Sequence, residues 1–126
     1  MRHENEIAYD VRGAAFKVHT ALGPGLLESV YEAALAHEMR KSGLLVATQV
    51  ALPAHYDGVR LELGFRLDLL VDDKVIVEIK SVDALQDVHH KQLLTYLRLL
   101  KRKLGLLINF NVPHARDGII RIVNGL

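Results

Sequence analysis

The segment from Gly64 to Lys80 constrains the fold most, because apolar residues occupy every second position of two short runs within it. These residues are Leu67, Leu69 and Val71 in the first run, and Val75, Val77 and Ile79 in the second. Successive side chains of a strand point to opposite faces of a sheet, so the two runs predict a β-hairpin with one all-apolar face. A three-residue loop over positions 72–74 keeps both apolar sets on that face and pairs Asp68 with Glu78.

The predicted pairing brings two carboxylates and one amine together on the opposite face of the hairpin. Glu and Lys are poor strand formers and are seldom buried without a partner, so this convergence needs a reason. One reason is a divalent metal ion whose ligands are Asp68, Glu78 and the backbone carbonyl of Ile79. Lys80 would then hold an attacking water or stabilise a developing negative charge. The alternative is a Glu78–Lys80 ion pair on a solvated sheet face, which stabilises a protein by about 0–1 kcal/mol.

The length and composition are ordinary for a soluble globular domain. The chain has 126 residues, of which 50% are hydrophobic and 25% charged, so we expect a single domain over residues 1–126. It has no cysteine, which excludes disulfides and thiolate metal sites and is compatible with a reducing compartment. The N-terminus is polar and no apolar run reaches membrane-spanning length, so we expect a cytoplasmic protein that does not enter a membrane.

The net charge of +1 gives little support for a nucleic-acid partner, because phosphate contacts usually show up as a basic excess. Positive charge is nevertheless clustered, at Lys91, Arg98, Lys101, Arg102 and Lys103. This cluster is either a local basic surface or a solvated helix end, and both interpretations stay open at this point.

Periodicity predicts the remaining elements. Helices are expected over 4–22, 26–41 and 86–102, with Gly23-Pro24-Gly25 as a tight corner between the first two. Strands are expected over 44–56, 59–71, 75–81, 104–110 and 119–123, with Asp57-Gly58 as a hairpin turn and Gly64 as a bend. The expected buried stripes are Ile7, Val11, Ala14, Ala15, Val18 and Leu22 on the first helix, and Leu27, Val30, Tyr31, Ala34, Leu35 and Met39 on the second.

The third predicted helix has two distinct faces. Its apolar stripe consists of Leu93, Leu94, Leu97 and Leu100, and a neighbouring face carries His89, Gln92 and Tyr96 at spacings of three and four. We expect this second face to point toward the paired carboxylates rather than into the core.

Among the seven histidines, His19 and His89 are best placed to take part in a site. A structural or substrate-contacting role suits both better than metal ligation, because a hard oxygen site for magnesium has no need of imidazole. The other five are interpreted as surface residues: His3, His37, His55, His90 and His114.

The order of elements and the placement of the acids resemble the PD-(D/E)XK nuclease superfamily. The matching residues are Glu28 on a core helix, Asp68 on the second strand and Glu78-Ile79-Lys80 on the third. The segment Gly25-Leu26-Leu27-Glu28-Ser29-Val30-Tyr31 is similar to the signature of the GxxExxY protein family, and Gln92-Leu93-Leu94-Thr95-Tyr96 is similar to the Q-x-x-x-Y motif of the superfamily's exonuclease-like branch. One departure is Leu67, which stands where the superfamily's name has a proline. Considered alone, Glu28 is a helix-start charge favoured by the macrodipole.

This resemblance implies an α/β (α+β) fold with a core in the order α-β-β-β-α-β, a mixed sheet flanked by helices, and an extra N-terminal helix. It also implies a Mg²⁺- or Mn²⁺-dependent nuclease that hydrolyses phosphodiester bonds of nucleic acid, with DNA as the expected substrate. The implied catalytic residues are Glu28, Asp68, Glu78 and Lys80, and the metal ligands are Glu28, Asp68, Glu78 and Ile79. The expected substrate-binding residues are Gln92, Tyr96, His89, Tyr31 and His19.

Two other functions compete with a nuclease. The first is a nuclease-like module that binds nucleic acid or another protein without cutting, which the low net charge favours and the intact Asp68, Glu78 and Lys80 set disfavours. The second is a dimerisation module built on Leu-rich helices, which leaves the polar face of the hairpin unexplained. A homodimer is also expected for a nuclease of this size, because one domain of 126 residues offers little surface to grip a duplex.

Overall fold

The computed structural model describes residues 2–61 and 65–126, so the predicted bend at Gly64 lies outside the described residues. Within these ranges the chain forms three α-helices, one short 3-10 helix and seven strands. The helices are α1 (Glu4–Leu22), α2 (Glu28–Lys41) and α3 (Asp87–Leu100), and the 3-10 helix is Ala115–Gly118. The strands are β1 (Val46–Ala51), β2 (Ala54–Tyr56), β3 (Val59–Leu61), β4 (Arg66–Val71), β5 (Val75–Lys80), β6 (Leu104–Asn109) and β7 (Ile119–Val123).

The described strands form a five-stranded mixed sheet in the order β1-β4-β5-β6-β7 and a separate two-stranded sheet of β2 and β3. In the large sheet β5 and β6 run parallel, and the other neighbours are antiparallel. A parallel pair needs a crossover connection, which α3 supplies between β5 and β6. One core cluster joins α1 and α2 to the sheet, and a second joins α3 to it. This architecture confirms the predicted α+β class with a mixed sheet between helices.

The β4–β5 hairpin has the predicted register. Leu69 pairs with Val77 and Val71 with Val75, which is the register that sets Asp68 opposite Glu78. Asp72 and Asp73 have φ of 49° and 55°, as the central residues of a type I′ turn do. Short acidic side chains tolerate this left-handed conformation better than most others, so the turn and the strand pattern specify the same pairing.

The predicted all-apolar face is wrong at its first position. Leu69 packs in the cluster under α1 and α2, whereas Leu67 packs with Leu52 and Ile76 in the cluster under α3. Two residues of one strand that are two positions apart would share a face in a regular strand, so the sheet is irregular here. The irregular backbone lies in the neighbouring strand β1, where Gln49 has a φ of 50° between the residues that pair with Leu69 and Leu67.

The two long strands predicted over 44–56 and 59–71 are each interrupted. β1 ends at Ala51, and the next strand begins only after Pro53, which has no backbone N–H to donate to a sheet. The Asp57-Gly58 turn is confirmed, because it joins β2 and β3 with Tyr56 opposite Val59. The sequence correctly predicted this hairpin but not that β2 and β3 leave the main sheet.

The buried Tyr31 side chain stabilises the corner between α1 and α2. The Tyr31 hydroxyl donates to the carbonyl of Gly23 and accepts from the backbone N–H of Leu26, and the Tyr31 ring stacks on Phe110 with centroids 4.5 Å apart. Helix α1 has the predicted bounds, but α2 begins at Glu28, two residues later than expected.

The two predicted helix stripes are only partly buried. Leu22, Leu27 and Val30 are exposed, because the corner ends one helix and delays the start of the other. The buried apolar residues of these helices are Ile7, Ala8, Val11, Ala14, Ala15 and Val18 on α1, and Tyr31, Leu35, Ala36 and Met39 on α2.

Helix α3 buries Leu93, Tyr96 and Leu97 against the other sheet face. Full burial of a leucine side chain contributes about 1.5–3 kcal/mol, so this stripe accounts for much of the packing of α3. Gly105 of β6 lies under Leu93, where a Cβ would come within 3.0 Å of the leucine side chain. No helix in residues 2–61 or 65–126 is long and apolar enough to cross a membrane.

Candidate active site

Asp68 and Glu78 are held together by two reciprocal hydrogen bonds. The backbone N–H of Asp68 donates to Glu78 Oε2 at 2.9 Å, and the backbone N–H of Ile79 donates to Asp68 Oδ2 at 2.8 Å. Each carboxylate thus accepts from the backbone of the opposite strand, where a regular ladder would have an amide–carbonyl pair. One oxygen of each side chain, Asp68 Oδ2 and Glu78 Oε2, is thus anchored by a backbone N–H.

Glu78 is a buried acid with a strongly perturbed pKa. Only 6% of the Glu78 surface is exposed. Burial, followed by the charge of Asp68, raises the pKa of Glu78 from 4.5 to about 8, while the charge of Lys80 acts in the opposite direction. Like charges close together in a desolvated place disfavour ionisation, and a cation between them would reverse the effect. A cation bound next to Asp68 and Glu78 would therefore be electrostatically favoured.

The alternative of a solvated Glu78–Lys80 ion pair is wrong. Glu78 is buried rather than solvated, and no salt bridge within 4.0 Å joins Lys80 to a carboxylate among residues 2–61 and 65–126. Lys80 is half-buried and lies two residues after Glu78 on the same strand. The two side chains thus leave β5 on one face, with their Cα atoms roughly 6.5–7 Å apart.

Tyr96 is a core residue whose pKa responds to the two carboxylates. It packs in the cluster under α3 and is 7% exposed. Burial is the main cause that raises the pKa of Tyr96, and the charges of Glu78 and Asp68 raise it further. The expectation that Tyr96 faces away from the core is wrong, because its ring packs in the cluster under α3, and its part in a site stays a prediction.

The other two residues of the predicted α3 face are more exposed than Tyr96. Gln92, one turn before Tyr96, is exposed. His89 is half-buried, and its Nδ1 accepts from the backbone N–H of Gln86 at 2.9 Å as part of a capping box. His89 therefore helps to begin α3.

Glu28 lies at the end of β5. Its Oε1 accepts from the backbone N–H of Ser81 at 3.3 Å, and the Ser81 hydroxyl donates to the carbonyl of Leu26 at 2.6 Å. These bonds fasten the first turn of α2 to the residue after Lys80. The described contacts of Glu28 include none with the carboxylates of Asp68 or Glu78.

Glu32 lies one helical turn after Glu28 and is not among the predicted site residues. Its Oε1 accepts from the Gln49 side-chain amide at 2.6 Å. Burial chiefly raises the pKa of Glu32, the Gln49 hydrogen bond opposes this, and the charge of Asp68 adds to the rise. The available signal was the four-residue spacing from Glu28, which sets both acids on one side of α2.

Tyr31 and His19 were expected to contact substrate, but the structure directs both inward. Tyr31 is 0% exposed and its hydroxyl is engaged by the corner. His19 Nε2 lies 2.7 Å from the carbonyl of Val112, and the residue is buried between α1 and the loop after β6. Both therefore hold helices in place. Of the remaining histidines, His3, His37, His55 and His114 are exposed and His90 is half-buried.

The donor set fits a divalent cation in part. Among the described residues no group of three His, Asp or Glu side chains forms a ready metal cage. The Asp68–Glu78 pair nevertheless offers two carboxylates, each with one oxygen anchored by a backbone N–H. Burial, followed by the charge of Asp68, raises the pKa of Glu78, and a bound cation would lower it again. The carbonyl of Ile79 stays a predicted ligand. Mg²⁺ usually keeps several waters and binds one or two protein carboxylates, which this pair can supply.

Comparison with known proteins agrees with this geometry. A family model described as the PD-(D/E)XK nuclease superfamily matches residues 5–122. Searches of curated proteins and of solved structures gave no significant match. The family match covers nearly all of the chain and includes the α2 acids, the β4–β5 hairpin and α3. The chain therefore belongs to the PD-(D/E)XK nuclease superfamily.

Proposed function

We propose that this protein is a Mg²⁺- or Mn²⁺-dependent nuclease, of the GxxExxY group within its superfamily, that hydrolyses phosphodiester bonds of DNA. The observation that carries the proposal is the pair of reciprocal hydrogen bonds between the strand segments of Asp68 and Glu78. Lys80 follows Glu78 by two residues on β5 and therefore leaves the strand on the same face. A buried Glu78 beside a half-buried Asp68 and a lysine stabilises a fold less than apolar residues of similar volume would, so we infer that the set serves a function.

The chemistry assigned to these residues is hydrolytic. A bound divalent ion would neutralise phosphate charge and lower the pKa of a water. Asp68 and Glu78 would hold the ion with the oxygens that the backbone leaves free. Lys80 would orient the attacking water and stabilise negative charge on the phosphate, because its ammonium group is a flexible, strongly charged donor.

Substrate contacts are proposed for the α3 side of the site. Gln92 is exposed and the charges of the two acids act on Tyr96, so the middle of α3, which carries both residues, is suited to position a nucleotide next to Lys80. His89 supports this surface by capping α3. A homodimer remains part of the proposal, because the surface beside one site is small compared with a duplex.

A cleavage panel tests this function directly. Purified protein is incubated with single- and double-stranded DNA and RNA, in Mg²⁺, in Mn²⁺ and with chelator, while Mn²⁺ binding is measured separately by calorimetry. The proposal expects metal-dependent cleavage, with DNA cut faster than RNA. Absence of cleavage of every substrate, together with demonstrated Mn²⁺ binding, would contradict it and favour a non-catalytic module that binds nucleic acid or protein.

A further inference from the structure

Positive charge is segregated along the chain. Residues 88–116 carry six lysines and arginines and neither aspartate nor glutamate, although the whole chain has 16 basic residues against 15 acids. The net charge of +1 therefore conceals a basic segment and an excess of acids elsewhere. Helix α3 forms the first part of this segment, and the exposure and partners of its cations distinguish a binding surface from a solvated helix end.

The cations of α3 lie on its outward side. Lys91, Thr95 and Arg98 follow one another at spacings of four and three, so they form one line opposite the buried Leu93. All three are exposed, and so is Lys101, the C-cap residue that ends the helix. We call Lys91, Arg98 and Lys101 the basic face of α3.

No acid neutralises the basic face within residues 2–61 and 65–126, where no salt bridge within 4.0 Å involves its three cations. The neighbouring Arg102, in contrast, has its Nη2 2.9 Å from Asp73 Oδ1. The helix macrodipole favours cations near the last turn, which accounts for Arg98 and Lys101. Lys91 is the fifth residue of α3 and gains no such benefit. Helix stability therefore explains the basic face only in part.

The other two helices have a different charge pattern. Arg2, just before α1, forms ion pairs with Glu6 and Asp10, and Lys41 of α2 forms one with Glu38. Opposite charges mixed in this way are typical of a solvated helix surface. The sequence of α3 contains one acid, in its first turn. The charge pattern of α3 thus favours a surface for an anionic partner over a solvated helix end.

The basic face and the proposed cleavage site lie on the same side of the sheet. Ile76 of β5 packs in the cluster under α3, and Glu78 and Lys80 follow it at intervals of two. All three therefore leave the strand on the face that α3 covers. Tyr96, five positions after Lys91, packs in the same cluster as Ile76. A chain of phosphates along α3 would thus lie on the side of the sheet that carries Lys80.

The basic face suits the backbone of a duplex. Lys91 and Arg98 are seven residues apart, which is about 10.5 Å along the helix axis. One DNA strand carries a phosphate about every 3.4 Å of duplex axis, so the two side chains can reach different phosphates of one backbone. Among the exposed residues of α3, a helix that is described throughout, none is an aromatic on which an unpaired base could stack. These features favour duplex DNA over a single strand.

We propose that the basic face of α3 binds the phosphate backbone of duplex DNA and holds the duplex beside Asp68, Glu78 and Lys80. The inference rests on the proposed nuclease function and adds to it the surface that positions the substrate. Because phosphates are the same in every sequence, this surface supplies affinity and orientation without sequence preference.

The test measures binding of the full chain to a fluorescently labelled DNA duplex by anisotropy, in chelator, at several KCl concentrations. Each lost phosphate contact lowers the slope of log K against log salt by about 0.9, so Lys91→Gln/Arg98→Gln should reduce the slope by about 2. Affinity should fall by about 10-fold at low salt. Lys91→Arg/Arg98→Lys keeps both charges and should bind nearly as the wild type does.

Lys17→Gln/Lys41→Gln is the matched control, because it removes the same charge from α1 and α2, which pack on the opposite face of the sheet. It should keep the wild-type slope. If Lys91→Gln/Arg98→Gln does not fold, Lys91→Gln alone should lower the slope by about 1.

Several results would overturn the inference. Equal losses in the Lys91/Arg98 and Lys17/Lys41 variants would show that net charge matters and that the position of the cations does not. Tighter binding to single-stranded DNA than to the duplex would reject a duplex surface. Binding to anionic phospholipid vesicles that depends on Lys91 and Arg98, without duplex binding, would make the face a membrane contact.

The inference and the nuclease proposal can fail separately, because duplex binding in chelator requires no catalysis. Salt-dependent duplex binding through Lys91 and Arg98, without cleavage in any metal, would support the basic face and reject the nuclease. Metal-dependent duplex cleavage with the same KM in the wild type and Lys91→Gln/Arg98→Gln would reject the basic face and leave the nuclease proposal standing.

Discussion

Asp68 and Glu78 each accept a backbone hydrogen bond from the other's strand, at 2.8 Å and 2.9 Å, in place of a regular ladder contact. The arrangement brings a buried carboxylate, Glu78 at 6% exposure, next to the half-buried Asp68. It orients one oxygen of each acid and makes the ionised state of Glu78 unfavourable without a cation. The free energy of unfolding should therefore depend on pH and on metal binding through this pair.

The first prediction concerns the pH dependence of stability without metal. The pKa of Glu78 is raised from 4.5 to about 8 by burial and by Asp68, so between these pH values the unfolded chain loses a proton that the folded protein keeps. The free energy of unfolding should therefore fall as pH rises through this range, by at most about 1.4 kcal/mol per pH unit from this group. Urea unfolding at several pH values, in the presence of chelator, measures the slope.

Glu78→Gln supplies the comparison for this slope. The amide cannot ionise, so the fall between these pH values should flatten, whereas the exposed Glu6→Gln on α1 should behave like the wild type. Identical pH dependence in the wild type and Glu78→Gln would mean that Glu78 does not titrate as proposed.

The second prediction is that Lys80→Ala gives a folded, metal-binding and inactive protein. Removal of the ammonium group spares both carboxylates and the buried residues of β5, so the unfolding transition and Mn²⁺ affinity should change little. Loss of one positioned charged group should lower the cleavage rate by about 10²–10⁴-fold. Ca²⁺ should bind the wild type but support little cleavage, because its looser coordination replaces the octahedral geometry of Mg²⁺ poorly.

Lys17→Ala is the matched control for charge removal, since Lys17 is an exposed residue of α1. It should cleave at the wild-type rate. Equal cleavage by the wild type and Lys80→Ala would point to a contaminating nuclease.

A third prediction separates the core role of Tyr96 from its site role. Tyr96→Phe keeps most of the buried ring area and removes the hydroxyl, so it should change the free energy of unfolding by no more than about 1 kcal/mol while weakening substrate binding or turnover. Leu97→Ala, in the same cluster, should destabilise by about 2–5 kcal/mol. Destabilisation of that size by Tyr96→Phe, with substrate binding intact, would make Tyr96 purely a core residue.

A fourth prediction contrasts two glycines. A Cβ at Gly118 would lie 2.0 Å from the carbonyl oxygen of Asn109, so Gly118→Ala should force the backbone apart and destabilise by roughly 1–3 kcal/mol or more. Gly13, in the middle of α1, has no neighbouring atom within 4 Å of the place that an alanine methyl would occupy, and Gly13→Ala should stabilise by about 0.5–1 kcal/mol. Thermal unfolding compares the two, and similar midpoints would refute the close approach at Gly118.

Local patterns in the sequence were sufficient for much of the fold. Period-two alternation and the acidic turn specified the β4–β5 register, because side-chain direction and turn geometry act between near neighbours. The bounds of α1 followed from its apolar spacing and the glycine after it. The separation of β2 and β3 from the main sheet and the packing of Leu67 under α3 did not follow, because both depend on packing between elements distant in the chain.

For the candidate site, the sequence by itself determined that Asp68, Glu78 and Lys80 belong together, since the hairpin register alone aligns them. Only the tertiary structure decided the surroundings of each acid on α2. Glu28 and Glu32 are one turn apart and nearly equivalent in sequence, but their partners Ser81 and Gln49 lie 53 and 17 positions away from them. Burial of Glu78, and hence its raised pKa, likewise exists only once the sheet and α3 have closed around it, because desolvation is a property of the packed molecule.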